Sequence, residues 1–234
     1  MTAHAFTLCG APLCALPTGA LYWAEAGVLA VADLHLGKAE RLARRGGTLL
    51  PPYDTAETLT RLESEIARCA PRTIVCLGDS FDDDAAARAL PPGAEDRLLR
   101  LMAGRRWVWI AGNHDPGPVT LPGTHLAEWR EGPLTFRHIA QPGETAEISG
   151  HYHPKARLSI GGRRIARPCF LAGATRVILP AFGAYTGGLA TDAPVLDALM
   201  GQEAIAILTG TRAVPLPMRP AQGPTPRPLR GDGG

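Results

Sequence analysis

Short apolar runs alternate with helical patterns in the first half of the chain. The segments 21–23 and 28–32, separated by four residues, predict a β-hairpin whose second strand ends at Asp33. Helical spacing of apolar residues follows at 55–69 and at about 95–102. Each helical pattern leads to a buried strand, at 73–77 and 107–111. The alternation predicts an α/β sheet with polar residues where three strands end, the place at which open α/β sheets build their sites.

The pattern changes beyond Gly117 to short strands separated by Gly and Pro. Candidate strands lie at 134–137, 146–149, 157–160, 169–171 and 177–179. Because no linker separates the two halves, the pattern predicts one domain over 1–214 that contains two packed sheets. Prolines and terminal glycines from Pro215 onward predict a disordered tail over 215–234.

Composition narrows the class of protein. The 234 residues are 45% hydrophobic, which is ordinary for a chain with a buried core, and a net charge of +2 indicates no partner by itself. Five cysteines without a CxxC pair argue against a disulfide framework and a zinc ribbon. Since Glu25 and Asp33 divide the best apolar stretch, no segment reaches the roughly 18 to 20 residues that span a bilayer. We expect a cytoplasmic protein without membrane association.

Candidate chemistry lies in five short motifs that follow the predicted strands in chain order. They are Asp33-Leu34-His35, Gly78-Asp79-Ser80-Phe81-Asp82, Gly112-Asn113-His114-Asp115, the lone His138 and Gly150-His151-Tyr152-His153. Each motif alone is typical of a structural turn. Together, their carboxylate, amide and imidazole groups can converge on a pair of divalent cations. In Asp-x-His and His-x-His, the two potential ligands project from the same side of an extended segment. A glycine before a ligand lets the backbone turn sharply and approach the ions.

The combination resembles the calcineurin-like metallophosphoesterase superfamily, with its D-x-H, GD-x-x-D, GNH-D/E, H and GH-x-H motifs. A closer resemblance, which covers about 16–215 and includes 179–188, is to bacterial ligase-associated DNA damage response endonucleases of the PdeM type. The resemblance implies a four-layer α/β/β/α sandwich. It also implies a metal-dependent phosphodiesterase that cleaves DNA during repair, in association with a DNA ligase and a helicase-like protein.

The resemblance further assigns roles to the motif residues. One metal would be held by Asp33, His35 and His153, the other by Asn113, His138 and His151, and Asp79 would bridge them. His114 would protonate the leaving oxygen, and the carboxylate of Asp82 would orient His114. Oxygen and nitrogen ligands without a thiolate favour two Mn²⁺ ions, and Fe or Zn²⁺ is compatible with the same set.

Substrate contacts are less constrained by the sequence. Phosphoprotein phosphatases carry Arg after the second Asp of their GD-x-x-D motif, and Asp83 stands there in this chain, which argues against protein phosphatase activity. Resemblance and proximity suggest Lys38 and Arg137 as phosphate contacts. Arginines at i, i+3 and i+4, namely Arg41, Arg44 and Arg45, would form one basic helical face, although a solvated face is the more frequent explanation of such a pattern.

Two other functions remain open at this stage. A phosphatase or pyrophosphatase acting on nucleotides or other small molecules would use the same ligands. A non-catalytic interaction module on this fold is disfavoured, because every matched ligand and His114 are present. Outside the proposed ligand set, Asp115 is expected to cap the turn that follows it.

Overall fold

The computed structural model describes residues 2–44, 46, 53–83, 85–86, 90–115 and 121–219. Its first sheet contains seven strands in sequential order. They are β1 (His4–Leu8), β2 (Ala11–Ala15), β3 (Leu21–Trp23), β4 (Val28–Val31), β5 (Thr73–Leu77), β6 (Arg106–Ile110) and β7 (Thr124–Leu126). Strands β1 to β4 pair antiparallel, which confirms the predicted hairpin at β3 and β4. Strands β4 to β7 are parallel, so the carboxyl ends of β4, β5 and β6 lie along one edge.

The second sheet is built from the β-rich half of the chain. Its strands are β8 (Glu128–Glu131), β9 (Leu134–Arg137), β10 (Glu147–Ser149), β11 (Lys155–Ile160), β12 (Arg163–Ala172), β13 (Arg176–Ile178), β14 (Ile205–Leu208) and β15 (Val214–Pro217). Their order is β15-β14-β12-β13-β10-β9-β8, and β11 pairs with β12 outside this path. Strand β10 is parallel to both β9 and β13. The sequence therefore predicted the β character of this half correctly.

Helices cover the outer faces of both sheets. They are α1 (Lys38–Arg44), α2 (Asp54–Cys69), α3 (Ala94–Met102) and α4 (Pro194–Leu199). Helix α2 buries Leu59, Leu62 and Ile66 with α3 against the first sheet, as its helical spacing predicted. Helix α4 buries Leu196 against the second sheet. The four layers of the predicted α/β/β/α sandwich are thus confirmed.

The central core lies between the two sheets, and β5 shows how it forms. Val75 and Leu77 point into the layer shared with the second sheet, whereas Ile74 and Cys76 point toward α2 and α3. All four side chains are fully buried. Because successive side chains of a strand face opposite ways, a strand covered on both sides must be apolar at every position. Burying each aliphatic side chain stabilises the fold by about 1.5–3 kcal/mol.

The carboxyl-terminal part of the fold extends past the boundary predicted at 214. Strand β15 continues to Pro217 and pairs antiparallel with β14. It lies at the edge of the sheet, where prolines are tolerated because no further strand requires the amide hydrogen that proline lacks. Described residues reach Arg219, and the rest of the predicted tail, 220–234, lies outside them. Among the described residues, no helix is long and apolar enough to cross a membrane.

Candidate metal centre

Loops from both sheets meet at the carboxyl ends of β4, β5 and β6. The first sheet supplies Asp33 after β4, Asp79 after β5 and Asn113 after β6. The second sheet supplies His138 directly after β9, and His151 and His153 after β10. Backbone bonds join the loops, since His35 N donates to Asp79 O at 2.9 Å and Gly150 N donates to His138 O at 3.0 Å. The structure therefore brings the five separated motifs to one place.

The first group of potential ligands consists of Asp33, His35 and His153. One candidate ligand atom from each lies within 4.8 Å of the others, and Asp33 Oδ1 is 3.3 Å from His153 Nε2. Asp33 Oδ1, His35 Nε2 and His153 Nε2 are buried and have no hydrogen-bond partner among the described residues. Leaving such atoms unpaired is costly, and a cation would satisfy all three together. The group therefore fits one metal ion.

The second group consists of Asp79, His138 and His151, again within 4.8 Å of one another. His138 Nε2 lies 3.4 Å from Asp79 Oδ2, 3.2 Å from His151 Nδ1 and 2.9 Å from Asn113 Oδ1. The other ring nitrogen, His138 Nδ1, is 2.8 Å from the carbonyl oxygen of Leu77. A proton on Nδ1 donated to this carbonyl leaves the Nε2 lone pair directed at the cluster, the usual state of a ligating histidine.

The electrostatics of the second group favour the ionised carboxylate of Asp79 and the neutral ring of His151, whereas a metal ion would have to displace a proton from His138. Burial would raise the pKa of Asp79, but the hydrogen bond and charge of His138 hold it well below its usual range. Burial lowers the pKa of His151, and the charge of His138 lowers it further. For His138 itself, burial is outweighed by Asp79 and Asp33, which raise its pKa. An ionised carboxylate and a neutral imidazole are thus available for coordination.

Two glycines allow the ligands to approach this closely. Gly78 has a positive φ of 74°, and a Cβ there would lie 2.4 Å from His138 Nδ1. A Cβ on Gly112 would lie 2.2 Å from both the amide nitrogen and Oδ1 of Asp79. Any side chain at either position would displace a potential ligand. This result agrees with the role inferred for glycine in these motifs.

His114 lies at the rim of the cluster and is exposed to solvent. Its amide nitrogen donates to Asp79 Oδ1 at 2.8 Å, and its ring centre is 5.3 Å from that of His35. Its Nδ1 is 3.1 Å from the carbonyl oxygen of Asp82. The imidazole is therefore held beside both groups of potential ligands while remaining accessible.

The carboxylate of Asp82 has a different partner from the expected one. We expected it to orient His114, but Oδ1 lies 2.7 Å from Nδ1 of His35, and Oδ2 contacts Nε of Arg41. Burial would raise the pKa of Asp82, whereas its hydrogen bonds and charge interactions with His35 and Arg41 lower it. The main-chain carbonyl of Asp82, and not its side chain, contacts His114. The motif cannot show this, because one residue offers both groups.

Most of the arginines suggested for phosphate binding have acidic partners in the structure. Arg41 contacts Asp82, and Arg44 donates to both oxygens of Asp83 at 2.8 and 3.1 Å. The side chain of Arg137 is only 7% exposed and lies 2.8 Å from Glu128 and 3.4 Å from Glu147. Lys38 is partly buried at the start of α1. Arg45 lies outside the described residues. The suggested basic helical face is therefore largely neutralised.

Two supporting contacts were missed from the sequence. Asp115 was expected to cap the next turn, but its Oδ2 accepts backbone hydrogen bonds from Ser80 and Phe81 at 2.8 and 3.1 Å. It therefore fixes the loop that carries Asp79. The segment 180–188 carries the other contact, because the amide of Gly183 donates to the carbonyl of Asp33 at 3.1 Å. Its glycines were the available signal, since a Cβ on Gly183 would lie 2.3 Å from Leu34 O.

Comparison with known proteins agrees with this geometry. The profile of the calcineurin-like phosphoesterase family matches residues 27–164, a range that includes all five motifs. The chain is also similar to the crystal structure of Pseudomonas putida nuclease MPE, with 31% sequence identity and a TM-score of 0.72. That similarity covers 92% of this chain and 100% of the nuclease chain. None of the curated proteins compared with the sequence matches it.

Proposed function

The chain belongs to the calcineurin-like phosphoesterase family and is a metal-dependent phosphoester hydrolase, and we propose that it is a phosphodiesterase that cleaves DNA in repair. The observation that carries the chemistry is the pair of adjacent ligand groups, the first of which holds three buried ligand atoms without a hydrogen-bond partner among the described residues. The choice of a nucleic-acid substrate is supported by the similarity to a bacterial nuclease.

The residues fit a dinuclear site, as the family uses. Asp33, His35 and His153 would hold one ion, and Asn113, His138 and His151 would hold the other. Asp79 would bridge them, as the family resemblance implies; one of its carboxylate oxygens faces His138, and the other accepts from the His114 amide. We propose Mn²⁺, which suits mixed oxygen and nitrogen ligands. When bound, two such ions supply Lewis-acid polarisation of the phosphoryl group and activation of the attacking water.

His114 is our candidate for the general acid. The carbonyl of Asp82 can accept the proton on Nδ1, which leaves Nε2 to carry a second proton toward a leaving oxygen. Exposure of the ring allows a substrate to reach it. Asp82 contacts both His114, through its carbonyl, and His35, through its carboxylate, so the same loop positions both a ligand and the acid.

We further propose that the protein acts in the cytoplasm and works with a DNA ligase and a helicase-like repair protein. All five cysteines are free, which is compatible with a reducing compartment. Co-purification with a tagged bait from the native host would test the association. Recovery of neither class of protein under crosslinking conditions would contradict it.

The central test compares substrates on one metal-stripped and reloaded preparation. We expect Mn²⁺ to restore hydrolysis of bis(p-nitrophenyl) phosphate and cleavage of single-stranded and duplex DNA, and chelation to abolish both. A circular DNA substrate separates the two modes of cleavage, because it has no free end at which an exonuclease could begin. If a nucleotide or another small phosphoester is hydrolysed far faster than any DNA, the small-molecule function replaces the nuclease proposal.

A further inference from the structure

A β-hairpin extends from the second sheet close to the candidate metal centre. All six residues of β11 pair antiparallel with Arg163–Pro168, the first part of β12. Only the remainder of β12, Cys169–Ala172, pairs with β14 inside the sheet. Within the described chain, β11 has no other strand partner apart from an isolated bridge between Lys155 and Ala190. We call the segment Lys155–Pro168 the arm.

The sequence of the arm specifies a regular hairpin. Gly161 and Gly162 form the two-residue turn, with φ of 55° and 76°, the positive values that a tight turn of this kind requires. Opposed residues of an antiparallel pair share a face. One face therefore carries Arg157 and Arg164, and the other carries Arg163 and Arg167. Both faces of the arm are basic.

The charge of the arm is concentrated and largely uncompensated. Its four arginines are exposed, and the segment 155–172 contains no acidic residue. Among described residues, only Arg157 has an acidic group within ion-pair distance, Asp192 at 3.9 Å, and both side chains are about three-quarters exposed. Such a surface pair contributes little. This arrangement differs from Arg41, Arg44 and Arg137, whose charges are met by carboxylates.

The base of the arm is anchored beside the metal centre. Strand β11 begins two residues after His153. Lys155 fixes this start, because its amide donates to Leu189 O at 2.8 Å and its Nζ donates to Thr186 O at 2.8 Å. Both acceptors lie at or next to the segment 180–188, which also contacts the backbone of Asp33. The arm and the first ligand group therefore share one framework.

We propose that the arm binds the sugar–phosphate backbone of DNA to one side of the scissile bond. The inference rests on the proposed function, because that function is the reason for choosing DNA as the polyanion that the arm binds. Exposed arginines are suited to contacts with phosphates that do not depend on base sequence. A six-residue strand is about 17–20 Å long, which is several phosphate spacings at roughly 3.4 Å along one strand of a duplex. A second copy of the chain is a poorer occupant, because it would bring an equally basic arm.

The test measures DNA binding and small-substrate hydrolysis on the same variants. Arg163→Gln/Arg164→Gln removes two arm charges, and Arg100→Gln/Arg212→Gln removes two exposed charges elsewhere as the matched control. Arg163→Lys/Arg164→Lys keeps the charge. Affinity for a short fluorescein-labelled duplex is measured over a salt series with the catalytic metal replaced by Ca²⁺. Hydrolysis of bis(p-nitrophenyl) phosphate with Mn²⁺ reports the metal centre.

For the arm Gln variant, we expect the salt slope to fall by about 0.9 per arginine lost, and affinity at low salt to fall by roughly 10- to 100-fold. The control and Lys variants retain most of the slope, and all three hydrolyse the small substrate like the original protein. If the double Gln variant does not fold, the single Arg163→Gln and Arg164→Gln variants provide the same comparison.

The outcomes separate this inference from the proposed function. If the original protein cleaves DNA while the arm variants bind it as the control does, the arm inference is overturned and the nuclease proposal stands. A protein that hydrolyses the small substrate but neither binds nor cleaves DNA overturns both. An arm variant that alters the sedimentation coefficient of the free protein without altering DNA affinity would identify a self-association surface and overturn the inference.

Discussion

The carboxylate of Asp82 lies 2.7 Å from Nδ1 of His35, on the side of the ring away from the unpaired Nε2. Arg41 contacts the other carboxylate oxygen. A carboxylate that accepts the Nδ1 proton of a histidine fixes its tautomer and directs Nε2 at a metal. Asp82 is therefore a positioning residue for the first ligand group, and Arg41 holds Asp82 in place.

Asp82→Asn should weaken metal binding at the first group. An amide cannot replace the charge that holds His35, and losing a partner of this kind costs about 10- to 100-fold in metal affinity or activity. Calorimetric titration of the metal-free variant with Mn²⁺ checks this expectation. Asp83→Asn is the matched control, because Asp83 pairs with Arg44 outside the ligand groups. Unchanged Mn²⁺ affinity together with a shifted alkaline limb of the kcat pH profile would instead favour the originally expected action on His114.

Asp79→Asn should abolish hydrolysis and lower the metal content of both groups. Its two oxygens face different neighbours, His138 and the His114 amide, and a bridging carboxylate serves two ions at once. Elemental analysis after equilibration with Mn²⁺ measures the stoichiometry directly. Asp96→Asn, on the exposed side of α3, should retain the stoichiometry of the original protein. A variant at Asp79 that still bound two ions would exclude the bridging role.

His114→Ala should separate catalysis from metal binding. The side chain lies at the rim and belongs to neither group of potential ligands, so metal content should stay near that of the original protein. Turnover of DNA should fall by about 10²- to 10⁴-fold, the usual contribution of a positioned general acid. Bis(p-nitrophenyl) phosphate should be less affected, since p-nitrophenolate leaves with little protonation. Equal losses on both substrates would rule out the acid role.

The two packed sheets and the convergence of the candidate ligands were predictable from local signals, whereas the four-layer arrangement was implied by the family resemblance. Residues 74–77 of strand β5 are all apolar because the strand is covered on both faces, and Gly78 and Asp79 follow at its end. Parallel neighbours then place the strand ends at one edge, so chain order alone brings Asp33, Asp79 and Asn113 together. The convergence of these three residues, which are far apart in sequence, was therefore predictable from their positions at strand ends and not from any single motif.

The partners of charged side chains were not predictable in the same way. Whether Asp82 contacts His114 or His35 depends on side-chain torsions within one loop, and sequence spacing does not determine them. Arg137 looked available for a phosphate, yet Glu128 and Glu147 approach it from different strands of the folded sheet. The basic arm was overlooked because its arginines are scattered along a strand pattern and become one surface only when β11 and β12 pair.

Gly112→Ala should impair the metal centre even though it adds only a methyl group. The new Cβ would stand 2.2 Å from the Asp79 amide and Oδ1, far inside contact distance, so Asp79 must move. We expect loss of Mn²⁺ stoichiometry together with loss of activity. Gly187→Ala is the control in the same region, because nothing lies within 4 Å of a Cβ there and its φ is not positive. If both variants bind two ions normally, close approach at Gly112 is not required.

Removal of metal should lower the stability of the whole fold, because the unpaired ligand atoms lie at the junction of the two sheets. Asp33 and His138 come from different sheets, and without an ion the buried Asp33 Oδ1 has no hydrogen-bond partner among the described residues. A cation that binds only the folded state stabilises it by about 2.7 kcal/mol when its free concentration is 100 times Kd. For a domain of this size, that corresponds to a rise in Tm of roughly 5–10 °C. Thermal unfolding with chelator and with Mn²⁺ measures the difference.

His153→Ala, which removes one ligand from the exposed side of the first group, should reduce the rise in Tm. His125→Ala should leave that rise unchanged, because His125 lies in β7, away from both ligand groups. A rise of equal size in all three proteins would mean that Mn²⁺ stabilises the fold from somewhere other than these residues.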